Sequence, residues 1–318
     1  MSTTEDYYCR MTFRLKVYSA SGDQFQRLFN QVMQYADPRF QPIAPYGSWG
    51  DGGNDGWIPE DGHYFQIYGP KPTTSTHDSA TTALQKAIDD FDKLREKWQN
   101  VRRYSFVMND RFEGIPAPIG SSLQDLQIKK QLDFARGFPM KDLMDYFMQL
   151  TLDKRQDIIG GIPADTVTFI DYRAVSELLS SLANNASSSL SFLKDTAPRF
   201  DEKIKFNGLT SPVSLKLEVL SYQVTVIDDF LHTRDSGLRQ AIAQEIRGYY
   251  QESKTVILDT SQDAANQRYF WLVEKLIPPN LPAHPHSLAA YRTAAELVIA
   301  KYFETCDAYE HPDSPSPA

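Results

Sequence analysis

Between Gly47 and Gly56 the chain reads Gly-Ser-Trp-Gly-Asp-Gly-Gly-Asn-Asp-Gly, five glycines in ten residues. Such a run is not expected to pack a core. It lets a backbone turn sharply and come close to something else. Two carboxylates, Asp51 and Asp55, stand in it, and the strand-like His63-Tyr-Phe-Gln-Ile-Tyr68 follows. Side chains alternate across a strand, so Phe65 and Ile67 share an apolar face. Tyr64, Gln66 and Tyr68 share the other, where Asp55 could meet the amide and the phenol. A calcium loop of the EF-hand type is excluded. It needs an oxygen ligand at its third position and a glutamate at its twelfth, and counting from Asp51 these are Gly53 and Gly62.

Acid, turn, strand and polar strand residue, in that order, is a common layout for a divalent-metal nuclease site. A glycine-rich surface loop with solvating aspartates is the plainer alternative. Around the loop, Gly22–Met33 reads as a helix with Phe25, Leu28, Phe29, Val32 and Met33 on one stripe. Phe40–Ala44, Asp55–Ile58 and Tyr64–Tyr68 read as three strands. A second helix, capped by Asp78 or Ser79, carries Leu84, Ala87, Ile88, Phe91, Leu94 and Trp98 on its buried side. Tyr104–Met108 closes the unit as a fourth strand.

This order of helix, three strands, helix and strand resembles the restriction-endonuclease fold of the Mrr type. The resemblance implies an aspartate opening the second strand, a Glu-x-Lys or Gln-x-Lys on the third, and Mg²⁺ (or Mn²⁺) held between them. A metal there neutralises the phosphodiester, orients a water and lowers its pKa. Asp55 matches the acid and Gln66 the Glu/Gln position, with Asp51 as a further metal ligand. Tyr68 stands at the lysine position, and the nearest lysine, Lys71, lies beyond Gly69-Pro70. Gln26 stands where many relatives have a helix glutamate. Either Lys71 and Asp51 compensate for these departures, or the site is weak or inactive.

The second half changes character. Helical patterns run over Pro139–Leu150 and Tyr172–Leu182, then at about 212–232, 238–252, 262–277 and 287–306. Ala197–Asn207 reads as a basic, proline-containing connection, Asn184–Leu190 as a polar mobile loop, and Pro278–His286 as a stiff connector with two loop histidines. Leu152–Pro163, Glu202–Leu209 and Tyr302–Glu310 resemble the C-terminal domain of bacterial three-component ABC-ATPase systems, Lamassu-type anti-phage defence among them. That resemblance implies an effector subunit bound to an SMC-like ABC ATPase and a small middle subunit. The expected architecture is therefore an α/β restriction-endonuclease-like domain over 10–135, its central mixed sheet flanked by helices. A mainly α-helical domain for partner binding and assembly is expected over 137–310.

No apolar run is long enough to span a bilayer, Met1–Asp6 is no signal peptide, and Cys9 and Cys306 offer no disulfide framework. A cytoplasmic protein without membrane attachment is expected. Net charge is −8, and Arg95, Lys97, Arg102 and Arg103 form the one basic cluster, either a solvated helix end or a phosphate contact. Two functions remain. One is a metal-dependent endonuclease that cuts double-stranded DNA once its N-terminal domains self-associate into a homo-oligomer on activation. The other is a catalytically inactive nuclease-like subunit for binding and assembly.

Overall fold

The computed structural model describes residues 4–47, 50–71, 76–163, 170–185, 200–232, 236–261, 263–279, 285–304 and 308–310. Two compact units emerge: Thr12–Ile159, and Gly160–Ala318 together with Met1–Met11.

The first unit holds the second half of helix α1 (Thr4–Ser19), then α2 (Gly22–Ala36) and strands β1 (Gln41–Pro42), β2 (Gly56–Ile58) and β3 (His63–Tyr68). Helix α3 (Thr76–Lys97), β4 (Arg103–Met108), α4 (Ala117–Lys130), β5 (Phe134–Phe138), α5 (Met140–Gln149) and α6 (Leu152–Ile159) follow. The five strands lie in chain order across one mixed sheet. β1, β2 and β3 run antiparallel, while β3–β4 and β4–β5 are parallel, each joined through a helix, as parallel neighbours require.

Both faces of the sheet are covered. Phe25 and Phe29 of α2 are buried, with Phe29 against Phe65, Phe40 and Phe138 on one face. Ala83, Ala87, Phe91 and Leu94 of α3, with Ile119 and Leu123 of α4, pack on Tyr64, Tyr104 and Phe106 of the other. The expected α2 stripe is buried at all five positions. On α3 the stripe is rotated: Ile88 is 41% exposed, and the helix starts ahead of Asp78 and Ser79. The unit continues past β5 to Ile159 because α5 packs back on α2 and buries Leu143 and Phe147, with Phe147 stacked on Phe13 at 4.2 Å.

The regular elements described in the second unit after Met11 are all helices: α7 (Tyr172–Asn185), α8 (Phe200–Phe206), α9 (Val213–Ser221), α10 (Thr225–His232), α11 (Ser236–Val256), α12 (Ala264–Leu276) and α13 (Pro285–Glu304). The stretch 212–232 is two helices, broken where the Leu220 carbonyl accepts the Gln223 N–H at 2.8 Å. Most of the polar stretch around residue 188, and the middle of the connector after Pro279, lie outside the described residues.

The segment 200–206 is a helix and not a connection. Ile204 is buried, and Lys203, buried with it, donates from Nζ to the carbonyls of Phe303 at 2.8 Å and Ala308 at 2.6 Å. Lys203→Met should therefore lower the stability of this unit by about 2 kcal/mol, since hydrogen bonds from a charged donor are lost and two buried acceptors are stranded. Urea denaturation measures it, and an unchanged midpoint would remove this role for Lys203.

Candidate functional site

Asp55 ends the glycine loop and begins the ladder. Its N–H donates to the Phe65 carbonyl at 3.0 Å and its own carbonyl accepts from Ile43 at 3.1 Å. Pinned at both main-chain atoms, the side chain turns towards β3. Oδ2 accepts the Gln66 Nε2 amide at 2.6 Å and the Ile67 N–H at 2.7 Å, and Oδ1 accepts Gln26 Nε2 of α2 at 3.1 Å. Asp55 and Gln66 are only 5% and 2% exposed. Asp55 is thus a buried carboxylate held by three N–H donors.

Burial dominates its chemistry. Desolvation pushes the Asp55 carboxyl up to about 6. The Ile67 N–H and the Lys86 charge pull it down, while Asp51 and Asp90 push it further up. Lys86 and Asp90 are ion-paired one turn apart on α3, and Lys93 adds a second contact to Asp90 at 3.3 Å. The sequence reading missed both residues. Its available signal was Asp90 itself, a carboxylate on the apolar stripe between Ala87 and Leu94.

The other expected residues are placed as follows. Asp51 turns back into its own loop, where Oδ1 accepts the Gly53 N–H at 2.8 Å. Tyr68 shares the Gln66 face of β3 and lies parallel to Phe106, ring centroids 6.2 Å apart, half-buried against the α3-side core. Lys71 is exposed and makes no hydrogen bond or ion pair with the described residues. The structure brings Asp55 and Gln66 together and adds Gln26; it does not bring Lys71 to them. Of the basic cluster, Arg102 pairs with Asp133 at 3.2 Å and Arg103 with Asp61 at 3.4 Å. Two of its four charges therefore already face carboxylates.

The residues present do not fit Mg²⁺ or Mn²⁺. Both Asp55 oxygens face N–H donors, and Gln66 presents its amide nitrogen to Asp55 while its buried Oε1 has no partner. Among the described residues no group of three or more His, Cys, Asp or Glu could hold a metal ion.

The glycine loop has a packing explanation. Gly52–Gly56 is buried, and at Gly53, where φ is +75°, a Cβ would sit 2.3 Å from the Asp90 carbonyl oxygen of α3. The expectation that this run packs no core is overturned: what it approaches so closely is the α3 backbone.

Among the described residues no helix is long and apolar enough to cross a membrane. No curated protein and no solved structure matches the chain. Residues 173–310, which run from the start of α7 to the end of the described helical unit, match the family model of C-terminal domain 10 of the ABC-three component (ABC-3C) systems.

Proposed function

We propose that this chain is a component of an ABC-three component anti-phage defence system. Residues 173–310 engage the other components, an SMC-like ABC ATPase and a small middle subunit. The unit Thr12–Ile159 is a nuclease-like module that serves binding and assembly without cutting. One observation carries this last point: both Asp55 oxygens are taken by the N–H groups of Gln26, Gln66 and Ile67 in a closed, 5% exposed position. The family match supports the first point for the helical half.

A second reading keeps a specific observation. Asp55, just ahead of β2, meets Gln66 within β3, where the Mrr-type resemblance implies an acid and its strand partner. Lys86 supplies positive charge from α3 although Tyr68 replaces the strand lysine. On that reading the chain is a metal-dependent endonuclease for double-stranded DNA that works as a homo-oligomer on activation.

One experiment separates them. The chain, alone and combined with the products of its neighbouring genes, is incubated with plasmid DNA and Mg²⁺ or Mn²⁺, beside the Asp55→Asn variant. The expected result is a complex on size-exclusion chromatography with light scattering and no nicking that depends on Asp55. Cleavage by the native chain that Asp55→Asn abolishes would replace the first reading with the second.

A further inference from the structure

Helix α9 is apolar on two sides. Val213, Leu217 and Leu220 are buried, while Leu215, Val219 and Tyr222, spaced i, i+4 and i+7, form a second stripe that is 57%, 50% and 86% exposed. An apolar stripe on a helix ordinarily faces a core or a partner. Yet α9 carries its second stripe into solvent over two turns, about 10 Å of helix rise.

The lower part of that stripe opens into a groove. Val219 and Tyr222 line a cavity of about 650 Å³ together with Phe200 of α8 and Phe303 of α13. Asp201, Glu218 and Glu304 also line it. Lys203 is the one basic residue among its described lining, and its ammonium is turned onto the Phe303 and Ala308 carbonyls. Lys301 lies 3.9 Å from Glu304 but is closer to Asp228, at 2.8 Å. Among the described residues the groove therefore combines Val219, Tyr222, Phe200 and Phe303 with three carboxylates, of which Glu304 has Lys301 within ion-pair distance.

We propose that this groove receives an amphipathic helix of a partner chain, one that presents aliphatic side chains flanked by lysine or arginine. The i, i+4, i+7 spacing of the exposed stripe offers ridges that interdigitate with a helix. The carboxylates select basic flanks and reject acidic ones, since like charges brought together at an interface oppose binding. The partner's place in a three-component system rests on the function proposed above; the chemistry of the groove does not.

The probes are two synthetic 15-residue helical peptides with the same leucine stripe, one with lysine and one with glutamate at every other position. Binding to the full chain is followed by fluorescence anisotropy. The lysine peptide is expected to bind and the glutamate peptide at least tenfold more weakly. Val219→Asp should weaken the lysine peptide at least tenfold. The double variant Glu218→Lys/Glu304→Lys should invert the preference, a result that general loss of structure cannot produce. Equal binding of both peptides, or binding that Val219→Asp leaves unchanged, overturns the proposal.

Co-purification with the neighbouring gene products separates this idea from the assembly reading. Partners retained equally by Val219→Asp sink the groove and leave the assembly standing. Peptide binding with the expected preferences, but no partner retained even by the native chain, supports the groove and sinks the assembly.

Discussion

Gly53→Ala is expected to lower the stability of the sheet-bearing unit by about 4 kcal/mol. Gly53 has φ +75°, and an L-residue in the left-handed region costs about 1–2 kcal/mol. The added Cβ would lie 2.3 Å from the Asp90 carbonyl oxygen and 3.2 Å from the Leu94 nitrogen. These are backbone atoms of α3 and cannot rotate aside, so loop and helix must separate, at the roughly 1–3 kcal/mol typical of overpacking or more. Gly50 is the internal control. Its φ is +63°, but among the described residues nothing lies within 4 Å of its Cβ position. Gly50→Ala should therefore cost only about 1 kcal/mol, from backbone strain alone. Urea denaturation followed by the fluorescence of Trp57 and Trp98, both in this unit, reads the difference. Equal losses in the two variants would mean that the close approach to α3 is not what Gly53 provides.

That contact shows where sequence reasoning succeeds and where it stops. The run 47–56 announces a close approach, but sequence does not name what is approached. A ligand and a helix backbone demand the same glycines. Helix α2 was legible because Phe25, Leu28, Phe29, Val32 and Met33 repeat at 3.6 residues and all face one core.

Strand β3 was half legible. Its Phe65–Ile67 face is buried as the alternation requires, but Tyr64 and Gln66 on the opposite face are buried too, at 1% and 2% exposure. A strand between two helical layers has no solvent face. The polar residue at 66 then marks a buried group in need of a partner, and Asp55 is that partner. Helix α1 was missed for a related reason. Cys9, Met11, Phe13, Leu15 and Val17 are all buried along one helix. Around them Cys-Arg-Met-Thr-Phe-Arg-Leu-Lys-Val alternates with the period of a strand. The periodicity of a helix reports its environment only when one side faces water.

The site has a parallel history. Asp55 and Gln66 were readable from strand spacing, whereas Lys86 and Asp90 reach Asp55 across the interface of α3 with the sheet, which no local spacing encodes. The plainer reading of the loop makes Asp55 a solvated surface acid, and its burial, at 5% exposure, reverses that expectation.

Asp55→Ala should lower the stability of the sheet-bearing unit by about 3 kcal/mol at pH 5, because the Ile67 N–H and the Gln26 and Gln66 amides lose their acceptor in a dry position. The penalty should shrink as pH rises, and the sign follows from burial. The Asp55 carboxyl is raised from 3.8 to about 6 in the folded protein, so the folded state binds its proton more tightly than the unfolded chain. The stability this group contributes is fully present below 3.8 and is lost as pH rises through about 6. From pH 5 to pH 8 the native chain should lose roughly 1.5 kcal/mol from this group, and Asp55→Asn, which cannot ionise, should lack that slope. Denaturation of the three proteins at pH 5 and pH 8 gives the comparison. A native chain that grows more stable from pH 5 to pH 8 relative to Asp55→Asn would show that its N–H donors outweigh burial and favour the charged carboxylate. Decreasing relative stability marks an acid whose burial outweighs the N–H donors that hold it.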